Sequence, residues 1–245
     1  MTFVHAWRMT STTEYALADL KTKVAARDTG LDGLHLLSVP LVPEVRLYLA
    51  EDSIVWWARM EAEAGMRLET PFWASAWAGG QAVARYVLDH PEVVAGQRVL
   101  DVASGSGLVA IAAAMSGAAV TTANDIDAYA IAATMLNAKV NRVSVRSYLG
   151  DILDGAGGDA DVVLVGDVCY APAIADRVLG FVERAARRGA RVLLGDPNRG
   201  HLPPETMEIV ASYPAPDEYA FMDAERDWID VLQPHPASIS RLRAD

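Results

Sequence analysis

A chain of 245 residues with 52% hydrophobic and 22% charged side chains can bury one substantial core, which excludes a largely disordered protein. Its 21 basic and 32 acidic residues leave a formal charge of −11, which argues against non-specific binding to nucleic acid or anionic lipid. A single cysteine, Cys169, excludes an intramolecular disulfide and a cysteine-built zinc site, and five histidines without HxxH or HExxH spacing give no sign of a metal.

Taken in chain order, the first residues lack the apolar run of a signal peptide, and no later segment is long and apolar enough to span a bilayer. A soluble, cytoplasmic protein is therefore expected. Residues 1–69 read as a mostly helical extension packed on the core. "TTEYALADLKTKVAAR" is a capped amphipathic candidate, and "EDSIVWWARMEAEAG" a second, with Ile54, Trp57 and Met60 or Glu61 on one side. From about residue 96, short β-branched runs alternate with helical spacing. The runs are 98–102, 119–124, 143–149, 161–167 and 191–196. "LVAIAAAMSG" is apolar all round and should be a buried helix stopped at Gly117. In 128–140 a stripe of Ala128, Ile131, Ala132, Met135 and Leu136 ends at Lys139. The glycine-rich 153–161 reads as the loop before the fourth strand, and Arg184, Arg187, Arg188 and Arg191 as a solvated helix end. Residues 216–234 carry two strand-like runs, as an antiparallel pair finishing the sheet would. This order predicts one α/β domain over 70–245, with a doubly wound, mostly parallel sheet.

The turn "DVASGSGLVA" (101–110) joins the first of these strands to the buried helix. Missing side chains there let a ligand approach the backbone, and the helix start offers free N–H groups. Gly105, Gly107 and Ala110 satisfy the dinucleotide pattern G-x-G-x-x-G/A, and Asp125 stands 20 residues beyond Gly105 to meet ribose hydroxyls. A turn of the same shape holds the methionine part of S-adenosylmethionine. Asp101 favours the second ligand, because a carboxylate ending an apolar strand is costly unless it meets donors. "DVASGSG" then fits D-x-G-x-G-x-G, with Ala103 replacing the first glycine, a position alanine tolerates if its φ is negative. Asp151, after the third strand, can accept from an adenine amino group or begin a helix. "GDVCY" (166–170) ends the fourth strand, where an open α/β sheet places reacting groups.

The segments 70–118, "ANDID" (123–127), "GDVCY" and "GDPNRG" (195–200) together resemble the family 16 seven-β-strand methyltransferases. In particular they resemble the lysine methyltransferases of the electron transfer flavoprotein β-subunit, found in mitochondria and bacteria. The likeness extends over most of residues 40–235, with Trp77-Ala78-Gly79-Gly80 where the family usually has Trp-Pro-Gly-Gly. It implies a Rossmann-like sheet of order 3-2-1-4-5-7-6 with strand 7 antiparallel. It also implies S-adenosylmethionine as cofactor, S-adenosylhomocysteine as its product, and a protein-lysine substrate on the flavoprotein β-subunit. Carried over, Asp101, Ser104, Gly105 and Gly107 form the methionine-side loop, Asp125 binds ribose, and Ile126 and Asp151 meet adenine. Trp77, Gly79 and Gly166 complete the cofactor wall, though Trp77 also fits ordinary core packing.

Asp167 and Tyr170 supply the family's D-x-x-Y motif as the catalytic pair. Methyl transfer from a sulfonium needs no acid for the leaving group, so positioning dominates. Asp167 can hold the incoming amine and Tyr170 can offer an aromatic wall; alternatively Asp167 caps a helix and Tyr170 packs. Cys169 reads as a small buried hydrophobe, and Arg199 as a wall of the acceptor channel. The competing functions are methylation of another protein or a small amine, a non-catalytic cofactor-binding module, and a nicotinamide oxidoreductase.

Overall fold

The computed structural model describes residues 10–26, 30, 31, 33–216 and 227–235. Its centre is a seven-stranded sheet built from β3 (Arg98–Val102), β4 (Val120–Asp125), β5 (Arg146–Leu149), β6 (Val162–Val165), β7 (Arg191–Asp196), β8 (Met207–Pro214) and β9 (Trp228–Pro234). The spatial order is β5-β4-β3-β6-β7-β9-β8. Six strands run in one direction, five of them paired side by side in parallel, and β9 enters antiparallel between β7 and β8. Numbered within the sheet, this is the 3-2-1-4-5-7-6 order with strand 7 reversed.

Central strands are apolar on both sides because helices cover both faces. Val162 and Leu164 pack with α3 (Ala78–Asp89) and α4 (Leu108–Met115), whereas Val163 and Val165 pack with α6 (Pro172–Arg187). α5 (Ala128–Val140) connects β4 to β5 and is buried on more sides than one stripe allows. Ala128, Ile131 and Ala132 are buried as expected, together with Ala130, Ala133, Thr134 and Asn137, while Lys139 is exposed. No helix follows β5; residues 150–161 form an irregular loop to β6. Of the arginines expected to form a solvated helix end, Arg184 and Arg188 instead bind this loop, Arg187 pairs with Glu183, and Arg191 stays exposed. Arg184 donates to the carbonyls of Leu153 and Gly155, and Arg188 to those of Ala156 and Ala160. Backbone acceptors without a ladder thus find charged donors.

The upstream region departs from the helical expectation. It contains α1 (Ser11–Ala25) and α2 (Ser53–Ala64), but between them lies a hairpin of β1 (Leu34–Val39) and β2 (Val42–Ala50). Pro40 and Pro43 forbid a helix there, and the alternation of buried Val45, Leu47 and Leu49 gives β2 a core face. The inward face of α2 is also corrected: Trp56 and Met60 are buried, whereas Ile54 is 70% exposed. Trp56 meets Trp73 edge-on at 5.2 Å, and Trp73 stacks on Tyr129 of α5. Tyr129 donates its hydroxyl proton to Asp19 of α1. These contacts fix the 3-10 turn Phe72–Ala74 against the body of the protein.

Two amide side chains tie the hairpin to α5. Asn137 accepts from the Tyr48 N–H at 2.7 Å, and Asn141 both accepts from the N–H and donates to the carbonyl of Arg46. The terminal antiparallel pair begins earlier than expected, at Met207, because the exposed face of edge strand β8 blurs its alternation. Part of the expected pair, residues 217–226, lies outside the described residues. Among the described residues no helix is long and apolar enough to cross a membrane.

Candidate active site

The carboxyl ends of β3, β4, β6 and β7 open on a cavity of about 890 Å³. It is walled on the opposite side by Phe72, Trp73 and Trp77. Such a volume suits a nucleoside-sized ligand with room for an acceptor side chain. Ten of the predicted residues line it: Trp77, Asp101, Ser104, Gly105, Asp125, Ile126, Asp151, Gly166, Asp167 and Tyr170. Gly79 and Gly107 stand behind it. A Cβ on Gly107 would come within 2.8 Å of Thr134, so this glycine, at φ +83°, lets α4 begin against α5.

The turn after β3 corrects one expectation: Ala103 has a φ of +53°, inside the left-handed region. A left-handed alanine costs about 1–2 kcal/mol, which glycine avoids. Ala103→Gly is therefore expected to raise unfolding free energy by about 0.5–1 kcal/mol, after the greater freedom of glycine in the unfolded chain is subtracted. Urea denaturation measures this directly.

Asp101 is almost fully buried beneath the turn, where its Oδ2 accepts from the Ala110 N–H of α4 at 3.0 Å. Burial pushes its carboxyl up to about 8, partly offset by that hydrogen bond and reinforced by the nearby Asp125 charge. A carboxyl raised from an unfolded value near 4 binds its proton more tightly in the native state. Its contribution is complete below pH ~4 and disappears as pH rises through ~8. Asp101→Asn is expected to flatten the fall in stability across this window, read as the difference between wild-type and variant urea midpoints.

Asp125 sits at the end of β4 as the spacing predicts. Its two oxygens accept from the Gly105 N–H at 2.9 Å and the Asp127 N–H at 3.0 Å, so it also braces the glycine turn. Burial pushes its carboxyl upward. Ile126 is 75% exposed at the cavity rim. Asp151 does not begin a helix; it accepts from the Leu153 N–H and pairs with Arg177, and the first of these contacts leads in holding its carboxyl below the usual range. Trp77 is half-buried and donates its indole N–H to the Phe72 carbonyl at 2.6 Å. Phe72 in turn stacks on Tyr170 with ring centroids 5.2 Å apart, which forms an aromatic row along one wall.

At the end of β6, Asp167 is held from two directions. Its Oδ2 accepts from the Gly79 N–H in the first turn of α3 at 2.9 Å, and its Oδ1 pairs with the Arg199 guanidinium. Arg199 is itself anchored: its N–H donates to Asp196 Oδ1 at 2.9 Å across a turn in which Asn198 is left-handed. Asp196 is buried, its Oδ2 has no hydrogen-bond partner among the described residues, and burial pushes its carboxyl upward. Neither Gly79 nor Asp196 was legible as a support for Asp167, since the three lie on separate elements. Cys169 is fully buried, and burial pushes its thiol up to about 12, so it remains a neutral space-filler.

Residues 85–188 match the family described as ribosomal protein L11 methyltransferase (PrmA). A rat protein named electron transfer flavoprotein beta subunit lysine methyltransferase (Rattus norvegicus) is 39% identical over 184 residues, covering 72% of this chain and 71% of its own. The chain belongs to the electron transfer flavoprotein β-subunit lysine methyltransferase family. The zebrafish member (Danio rerio) is 40% identical over 164 residues; the match takes in 66% of this chain and 63% of that protein, slightly under two thirds of its length. Among solved structures, the ribosomal protein L11 methylase of Lactobacillus delbrueckii subsp. bulgaricus is similar at 20% identity and a TM-score of 0.47, over 63% of this chain and 77% of that one. The L11-type match contains the glycine turn, Asp125, Asp151, Asp167 and Tyr170. Trp77, Gly79 and Arg199 fall outside it.

Proposed function

We propose that this chain is an S-adenosylmethionine-dependent protein-lysine N-methyltransferase, and that its substrate is the β-subunit of electron transfer flavoprotein. The observation that carries this reading is the opening of the glycine turn and of the Asp167–Tyr170 pair onto one cavity. The residues fit the cofactor. The Ser104 hydroxyl is buried with no hydrogen-bond partner among the described residues and lines the cavity, so it offers a polar contact beside the turned backbone of 103–107. Ser104, Gly105 and Asp101 then hold the methionine end, Asp125 the ribose, and Ile126 and Asp151 the adenine, with Trp77 and Gly166 as walls. Gly79 and Gly107 act at one remove, by permitting the helix starts. When bound, the cofactor supplies a sulfonium-activated methyl group.

The remaining work is positional. Asp167, braced by Gly79 and Arg199, has lone pairs left to accept from the acceptor amine and aim it across the cavity. Tyr170 and Phe72 provide apolar faces that strip water from the lysine stem and favour a cationic reacting centre. The relatives' names support this choice of substrate, and the cytoplasm is the proposed site of action.

The purified chain, incubated with methyl-labelled S-adenosylmethionine and purified electron transfer flavoprotein, is expected to label lysines of the β-subunit. Labelling of another protein in a lysate but not of the β-subunit would move the substrate and leave the reaction. Binding of NAD in place of S-adenosylmethionine would remove the reaction as well.

A further inference from the structure

The Asp167–Arg199 pair carries a consequence for the acceptor, and it rests on the lysine methyl-transfer reading above. A lysine in water carries its proton, and an ammonium has no lone pair with which to attack a methyl group. A lone carboxylate beside that amine would make matters worse: an opposite charge within about 4–6 Å favours the charged form by about 1–3 pH units. Asp167 is not alone. Its side chain is only 2% exposed, and the Arg199 guanidinium, 16% exposed, lies directly against one of its oxygens. Arginine does not give up its proton in a protein, so this cation is permanent. Its place is also built in: the Asp196 carboxylate holds its backbone N–H.

We propose that Arg199 is a positioning residue that sets the protonation state of the acceptor, cancelling the pull of Asp167 on a proton so that the site selects a neutral amine. The carboxylate then keeps its directional role as a hydrogen-bond acceptor without stabilising the ammonium. The groups packed around the pair support this balance. Asp196 lies behind Arg199 with a carboxyl raised by burial, Cys169 is neutral, and Tyr170 offers a ring face. Glu69, Asp101, Asp125, Asp127 and the Asp151–Arg177 pair line the same cavity as members of its wider wall. A further consequence is selectivity, because a guanidinium acceptor cannot shed its charge and meets Arg199 as a like-charged neighbour.

The test is the pH dependence of kcat at saturating flavoprotein and S-adenosylmethionine, which reports ionisations within the loaded complex. Arg199→Gln keeps a hydrogen-bond donor to Asp167 but removes the charge; Arg199→Lys keeps the charge. In Arg199→Gln the rising limb is expected to move up by about one pH unit, with roughly tenfold lower kcat near neutrality and recovery at the alkaline end. Arg199→Lys should keep the wild-type limb. An unmoved limb in Arg199→Gln, or a loss of kcat equal at every pH, overturns the proposal. A second reading needs no activity: in the cofactor-free protein, the cycle of Asp167→Asn, Arg199→Gln and the double variant should show coupling of at least about fivefold in the unfolding equilibrium constant. Independence of the two sites overturns the proposal from the structural side. A wild-type chain that methylates no amine removes the function itself, and this proposal with it.

Discussion

Asp167→Asn is expected to lower methyl transfer by about 10²–10⁴-fold while S-adenosylhomocysteine binds as it does to wild type. The amide is nearly the size of the carboxylate, so the site keeps its volume, but its single oxygen can accept from only one of the Gly79 N–H and the Arg199 guanidinium while its NH2 faces the other donor. What disappears is a charged acceptor with lone pairs in the required direction. The variant leaves the Arg199 charge in place, so its defect lies in aiming the amine and not in retaining a proton on it. Single-turnover transfer and calorimetric titration separate the two quantities. Turnover near the wild-type value would take Asp167 out of the reaction. Asp167→Ala is a poorer probe, because it removes the carboxylate from a mostly buried ion pair and is expected to cost about 3–5 kcal/mol of stability.

Gly79→Ala is expected to destabilise the fold by about 3 kcal/mol or more, and to depress activity beyond the fraction unfolded. A Cβ on Gly79 would lie 2.4 Å from the Gly195 carbonyl oxygen and 3.2 Å from the Asp167 Cα. Both are backbone atoms, so no rotamer change relieves the clash. The first turn of α3 must lift from β7, and its N–H then leaves Asp167. The adjacent Gly80 is the control: a Cβ there meets only Val109 Cγ2, at 3.9 Å. Gly80→Ala, inside α3, is expected to be neutral or to gain about 0.5–1 kcal/mol from helix propensity. Paired urea titrations of the two variants check both. Within the same motif, Ala78 occupies the first helical position of α3, where proline and a good helix former are both accommodated.

These variants also mark how far the sequence could be read. The parallel strands were legible because a strand covered on both faces becomes a continuous apolar run, as in "DVVLVGD". The glycine turn and Asp125 were legible because a phosphate- or amino-acid-binding loop has a fixed local geometry and an acid at the next strand end. The hairpin of residues 34–50 was hidden, since its leucines, arginine and alanine are also good helix formers and only the two prolines objected. The sign of φ at Ala103 depends on the turn's closure against Asn124 and Asp125, which residue identity does not reveal. Arg199 could be placed near the acceptor by its strand, but its partner stands 32 residues away on a different strand end. Long-range polar contacts of this kind leave no periodic trace.

The hairpin illustrates one more property of such contacts. A two-stranded ribbon on its own is marginal in water, and its outer edge offers unpaired N–H and carbonyl groups to any passing chain. Here the amides of Asn137 and Asn141 occupy positions along β2 that another strand would take, with Asn141 exchanging both bonds with Arg46 as a neighbouring residue in a ladder does. A helix thereby terminates a sheet. The β2 edge is closed to recruitment by a second molecule, and side chains, without an added strand, confer that resistance to edge-to-edge association.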